Sequence, residues 1–205
     1  MSRRTDAIVA GSALLGVLLL AAAPPPASAD DVPDQSWLDR EQLAAGEIQV
    51  QASREGGAIT VETAALIDAS AEAIWDVLTA CEIAPEYVPN VVDCELIETL
   101  DDGRAELFVQ TIKPAFFIPR FEHVFRLDYH PYERIDVQEV SGPIERMRGS
   151  WWFLPQPDGE VLLLHSLEVD PGFPVPRFVL RATMRRDLVN IMEAVRELAE
   201  TGSLQ

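Results

Sequence analysis

Basic side chains are scarce in this sequence. Lysine and arginine together number 16 against 34 aspartates and glutamates, a formal charge of −18 at pH 7 over 205 residues. Phosphate neutralisation needs a basic face, so this balance excludes nucleic acid as a partner. It also speaks against general attachment to anionic membranes. Histidine (three) and cysteine (two) are scarcer still. Cys81 and Cys94 have twelve residues between them and no histidine at a zinc-ligand spacing, so no metal site is expected. Neither cysteine has a histidine nearby in sequence, which argues against a catalytic thiol. Two readings stay open for the pair: a disulfide contributing about 3 kcal/mol in an oxidising compartment, or two buried free thiols packed as small apolar groups. Also missing are paired carboxylates for glycosidase chemistry, a Gly-x-Ser-x-Gly elbow and a phosphate-cradling glycine loop. No cofactor is expected. There are no internal repeats, and nothing sets an oligomeric state.

Long apolar runs are absent except at the start. Arg3 and Arg4 precede an apolar stretch from Ala7 to Ala23, broken by Pro24-Pro25-Pro26 and followed by "ASA" at Ala27 to Ala29. This is the pattern of a signal peptide over residues 1–29, cleaved before Asp30. About 17 apolar residues is the low end for a spanning helix, the competing reading. Export would place the protein in the periplasm or outside the cell. The mature chain would carry a charge of −19 and is long enough for a sizeable core.

Residues 30–45 read as an acidic leader with a short helix in "SWLDREQLAAG", Ser36 serving as cap. Residues 46–205 read as one domain. Glu47–Ser53 and Ala58–Ile67 alternate around "REGG" as a hairpin. Ser70 caps a helix with Ala73, Ile74, Val77 and Leu78 on one face, and "APEYVPNV" allows only a short turn. Six extended runs follow: 91–99, 104–113, 121–130, 135–140, 145–154 and 160–170, punctuated by "DDG", "KPAFFIP", "HPYE", "SGP" and "QPDG". A helix from Arg177 to Thr201, closed by Gly202, places Leu180, Met184, Leu188, Ile191, Val195 and Leu198 on one apolar face. This order predicts an α+β domain whose sheet curls over one long amphipathic helix, with room for a cavity between them.

Three stretches carry a family resemblance: "LIDASAEAIWDVLTACEIAPEYVPNVVDCELIE" (Leu66–Glu98), "RGSWWFLPQPDGEVLLLHSLEVDPGFPVP" (Arg148–Pro176) and the closing helix. They resemble the START/Bet v 1-like helix-grip superfamily (SRPBCC), in particular its polyketide cyclase and coenzyme Q-binding branch. The resemblance implies a helix-grip fold: a curved antiparallel sheet wrapped around a long C-terminal helix, with two short helices after the first strand. It implies a cavity for a hydrophobic small molecule such as a lipid, an isoprenoid or a polyketide. A minority of the family catalyses cyclisation or dehydration.

Strand alternation nominates the lining. Met147, Gly149, Trp151 and Phe153 share one face, Phe121, His123, Phe125, Leu127 and Tyr129 another, and Val161, Leu163, His165, Leu167 and Val169 a third. The resemblance aligns Trp151 with the family tryptophan, taken as interior. Trp152 then faces outward, either partly exposed or covered by the N-terminal segment. The expected ligand-binding set is Trp151, Phe153, Phe125, His123, His165, Met184 and Leu188. An inward imidazole is a satisfied core group, a polar anchor for the ligand, or an acid/base in an enzymatic alternative built on His123 or His165. "KPAFFIPRF" and "PGFPVPRFVL" are apolar loops, suited either to packing or to a gate and transient membrane contact through Phe116, Phe117, Phe173, Arg177 and Arg181. Arg185 and Arg186 extend that local basic stripe.

Overall fold

The computed structural model describes residues 32–55, 58–114, 119–170 and 176–203. The expected signal segment and the loop residues Phe116, Phe117 and Phe173 lie outside them, as does the side chain of Arg177. A five-residue helix α1 (Arg40–Ala44) is followed by the hairpin β1 (Gln49–Glu55) and β2 (Ala58–Ile67). Next come α2 (Ala71–Thr79), a 3-10 turn (Cys81–Ile83) and the single-turn α3 (Ala84–Tyr87). The strands β3 (Val91–Leu100), β4 (Ala105–Ile112), β5 (Phe121–His130), β6 (Arg134–Ser141), β7 (Arg146–Pro155) and β8 (Val161–Asp170) precede the long α4 (Arg177–Thr201).

All eight strands form one antiparallel sheet in the order β1-β2-β8-β7-β6-β5-β4-β3. The two short helices therefore follow β2, because the sheet begins with a hairpin whose first strand is its edge. Register shifts interrupt the β3–β4 pairing twice and the β5–β6 pairing once. Such bulges bend a strand and increase its twist, which helps the sheet curl. Gly149 permits close approach: a Cβ there would collide with the backbone oxygen of Ser166 on β8.

Helix α4 packs on β2 and β1 and against α2 and α3. Met192 and Val195 are fully buried with Ile67, Ile74, Phe108, Phe153 and Leu163 in the main core. Each such side chain is worth about 1.5–3 kcal/mol of burial. Gly202, at φ 77°, ends α4 and its N–H donates to Leu198 O at 2.8 Å. No described helix is long and apolar enough to cross a membrane.

Local chemistry corrects one expectation and decides between the two readings of Trp152 in favour of cover by the N-terminal segment. Helix α1 is capped by Asp39, whose Oδ1 accepts from Glu41 N (2.9 Å) and Gln42 N (3.2 Å), while Ser36 is held by Asp34 instead. Trp152 is buried, 8% exposed, with the Arg134 guanidinium 4.7 Å above its ring. Its outer-face neighbours Ala64, Leu162 and Leu164 are buried too, and α1, carrying the buried Leu43, packs against β2. The helix expected in the leader is thus part of the fold. Ser70 does cap α2 as read, accepting from Ala73 N at 3.1 Å.

Candidate functional site

The concave face is not filled. A cavity of about 320 Å³ lies between the inner face of β3–β8, the α3 segment, and Leu188 and Ile191 of α4. Its walls are mostly apolar, with Phe108, Phe121, Phe125, Val137, Met147 and Trp151 among them. The chain opposite the sheet is short and carries small residues, Ala80 and Ala84, where a longer helix would have supplied bulk.

Of the seven residues expected to line a cavity, Trp151, Phe125, His123, His165 and Leu188 do. Phe153 and Met184 are not on its wall. Phe153 is buried in the main core beside Trp75, ring centroids 5.8 Å apart. Met184 joins Ile59, Val61 and Leu188 in a second cluster under β2. Alternation assigned the correct face in both cases, but it carries no information on how far along that face the cavity extends. Trp151 is inward yet only half-buried, as a wall residue should be, and Trp152, facing outward, is the more buried of the two.

The two inward histidines have different surroundings. His165 on β8 sits opposite Trp151 of β7, and the two rings stack at 3.7 Å between centroids and 6° between planes. Burial lowers its pKa from 6.5 to about 3, so the ring is neutral at physiological pH. Its Nδ1 is buried with no hydrogen-bond partner among the described residues, and so is Oγ1 of Thr63, its cross-strand neighbour on β2. Buried polar atoms are usually satisfied, so this pair leaves hydrogen-bonding capacity open beside the cavity wall.

His123 on β5 is fully engaged. Its Nδ1 lies 2.8 Å from Glu139 Oε2 and its Nε2 3.3 Å from Gln110 Oε1. The side chains of His123 and Glu139 are 4% and 7% exposed. A carboxylate at Nδ1 holds a proton on that nitrogen, and the contact of Nε2 with the Gln110 amide oxygen, itself an acceptor, is a hydrogen bond only when Nε2 carries a proton as well. Gln110 Nε2 in turn donates to Cys94 Sγ at 3.5 Å. Gly142 closes over the pair: a Cβ there would come within 2.7 Å of His123 Cβ and 2.8 Å of Glu139 Oε1, and its φ of 145° suits glycine alone. Glu139 and Gln110 were not singled out from the sequence. The signal was present, since Ile135, Val137 and Glu139 alternate inward on β6 as Phe108 and Gln110 do on β4.

Cys81 and Cys94 are joined in a disulfide with Cα atoms 5.5 Å apart, and both residues line the cavity. The bond ties the turn after α2 to the edge strand β3, so one wall of the chamber is covalently held. On α4, Arg181 and Arg185 are exposed, and Arg186 pairs with its neighbour Asp187 at 2.7 Å.

Several solved structures share the fold. A STAR-related lipid transfer protein from Xanthomonas axonopodis is 18% identical, with a TM-score of 0.64 over 73% of this chain and 92% of its own. The Zhui aromatase/cyclase from Streptomyces sp. R1128 is 19% identical, with a TM-score of 0.60 over 70% and 94%. A START superfamily protein from Mycobacterium smegmatis is 21% identical, with a TM-score of 0.58 over 70% and 99%. Among curated proteins none matches. Residues 67–196, which span the sheet from the end of β2, the cavity and most of α4, match the family described as polyketide cyclase / dehydrase and lipid transport, and the chain belongs to that family.

Proposed function

We propose that the protein holds a hydrophobic small molecule non-covalently in the cavity between sheet and C-terminal helix, and carries it through an aqueous compartment outside the cytoplasm. The observation that carries this reading is the chamber itself: about 320 Å³ of largely apolar space in a family that includes lipid transport. Ligand sites are typically apolar clefts with a few placed polar groups. His165, neutral and with hydrogen-bonding capacity to spare, supplies one such group. A long-chain molecule costs about 0.8 kcal/mol per CH₂ to hold in water, and an apolar chamber removes that cost. The signal-like start and the disulfide are consistent with a periplasmic or secreted location. The loops holding Phe116, Phe117 and Phe173, with Arg177 and Arg181, serve as a gate that touches a membrane transiently. Native mass spectrometry of protein purified from its own host tests the reading. A co-purified apolar molecule lost on Trp151→Ala supports it, and an empty chamber that takes up no lipid from vesicles overturns it.

A second reading rests on the His123–Glu139 pair. A histidine oriented by a carboxylate at a cavity wall is equipped for proton transfer, and the Zhui protein of the same fold is named an aromatase/cyclase. In this reading His123 is the acid/base and Glu139 positions it. His165, held neutral down to about pH 3, is a poor base at neutral pH and is assigned hydrogen bonding alone. Turnover of a poly-β-ketone substrate that disappears in His123→Gln, with folding retained, would favour the enzyme. Unchanged binding and no turnover would leave the carrier.

A further inference from the structure

At the other end of the same concave face there is a second pocket, about 390 Å³, lined by Trp75, Thr79, Glu106, Tyr129 and Tyr132 together with Gly103 and Pro131. Strand alternation explains the position. His123, Phe125, Leu127 and Tyr129 follow one another along the inner face of β5, and Gln110, Phe108 and Glu106 run the same way on β4. Moving away from the histidines, both strands end in this pocket, and α2 supplies Trp75 as its third side.

Three aromatic rings meet there. Trp75 lies 5.5 Å from Tyr129 and 5.5 Å from Tyr132 between centroids, at 57° and 65° between planes. The rings are steeply inclined to one another and not piled face to face, and Trp75 also packs on Phe153, centroids 5.8 Å apart. Tyr132 is 47% exposed and sits at φ 62°, a conformation uncommon for a residue with a Cβ. Glu106 brings a carboxylate among the rings. It accepts from Tyr129 Oη at 2.8 Å and from Thr99 Oγ1 at 3.4 Å, and no described lysine or arginine pairs with it. The arginines of the flanking segments are engaged elsewhere: Arg104 donates to Asp101 O, and Arg126 pairs with Asp101 and Asp128. Burial, and then the neighbouring Glu106, push the Tyr129 phenol well above its ordinary pKa, so it stays a neutral donor.

We propose that this pocket binds an alkylammonium group, the methylated ammonium of a choline-like molecule or headgroup. A ring quadrupole attracts a cation over its face, and clusters of aromatic rings with a carboxylate are a recurring solution for quaternary ammonium recognition. A methylated cation is weakly hydrated and carries apolar methyls, so it suits an aromatic-walled pocket better than a bare metal ion, for which one carboxylate is too few ligands. None of its aromatic residues lines the main cavity, and of its lining residues Thr79 is shared with it.

The full chain is titrated with choline and with tetramethylammonium chloride while the Trp75 indole N–H signal is followed by NMR, assigned by its loss in Trp75→Phe. Sodium chloride at matched ionic strength and 3,3-dimethylbutan-1-ol, the neutral isostere of choline, are the controls. A saturable shift with both cations is expected, with the alcohol at least about tenfold weaker. Glu106→Gln and Tyr132→Asn should each weaken choline binding roughly fivefold. The second variant tolerates the left-handed backbone and removes a solvent-exposed ring, so it tests the pocket without endangering the fold. Co-sedimentation with phosphatidylcholine vesicles that free choline competes away assigns the group to a lipid headgroup. A choline-induced shift without vesicle binding assigns it to a soluble ligand. No saturable shift with choline, or equal affinity for the alcohol, overturns the proposal.

Discussion

His165 lies with its ring flat against Trp151 and its Nδ1 buried without a partner among the described residues. The unfolded chain protonates this imidazole near pH 6.5, whereas the folded chain resists until about pH 3. Between those values the unfolded state binds more protons, so acidification favours unfolding. Above pH 6.5 the ring is neutral in both states and contributes no slope. Urea unfolding of the wild type and of His165→Asn between about pH 7 and pH 4 should therefore diverge by up to ~1.4 kcal/mol per pH unit, the wild type losing more on acidification. Parallel curves would place a proton on His165 in the folded protein. The aromatic residues beside it separate wall from core. Phe153→Ala should cost the roughly 3–5 kcal/mol of a fully packed aromatic and leave the affinity for an apolar fluorescent probe nearly unchanged. Trp151→Ala should cost less than that and lower probe affinity about tenfold, on the order of 1.4 kcal/mol. Equal effects of the two substitutions on both readouts would mean the cavity boundary is misplaced.

At the level of elements, the disulfide is the clearest single contribution. It closes a loop with twelve residues between its cysteines, for which chain-entropy reasoning gives about 3 kcal/mol. Cys81→Ser/Cys94→Ser should lower the unfolding free energy by about that amount in urea, and the denatured, unreduced wild type should titrate no free thiols; a count of two would contradict the bond. The strands and the long helix were legible in the sequence because each has one clear period. β5 spans Phe121–His130 and α4 Arg177–Thr201, matching the alternating run and the apolar stripe that predicted them. What stayed hidden depends on partners distant in sequence. Trp152 is buried because α1 and Arg134 cover the outer face, and nothing within β7 says so. Glu139 lies on the inner face by plain alternation but becomes a functional candidate only once β5 brings His123 beside it. The choice between disulfide and free thiols also stayed open, since it turns on how the segment between the cysteines folds back.

Across the whole molecule, the charge of −18 sets the terms for any membrane encounter. Such a surface is repelled by anionic bilayers, so in the proposed carrier role pickup of a lipid would rely on a local apolar tip with a few cations beside it. The strand ends flanking the two apolar loops, Ile112, Phe121 and Asp170, lie by register at one end of the sheet, the end from which α4 departs. Phe116→Ser/Phe117→Ser should slow transfer of a fluorescent lipid from vesicles several-fold, with the melting temperature unchanged, and Arg181→Glu/Arg185→Glu should weaken the dependence on anionic lipid. A wild-type transfer rate in both variants would show that these residues do not take part in loading.

The disulfide forms part of the chamber wall itself, and this gives it a kinetic meaning beyond stability. A guest leaves when a wall yields, and the segment from Cys81 to Tyr87, packed on β3 with Ala84 in the core, is joined to that strand covalently, apart from the main chain, by this bond alone. With the bond closed, departure has to await some other opening. With it reduced, only side-chain packing would hold this segment to β3. How long a guest dwells would then depend on the thiol surroundings, shorter where the bond is reduced and longer where it is oxidised.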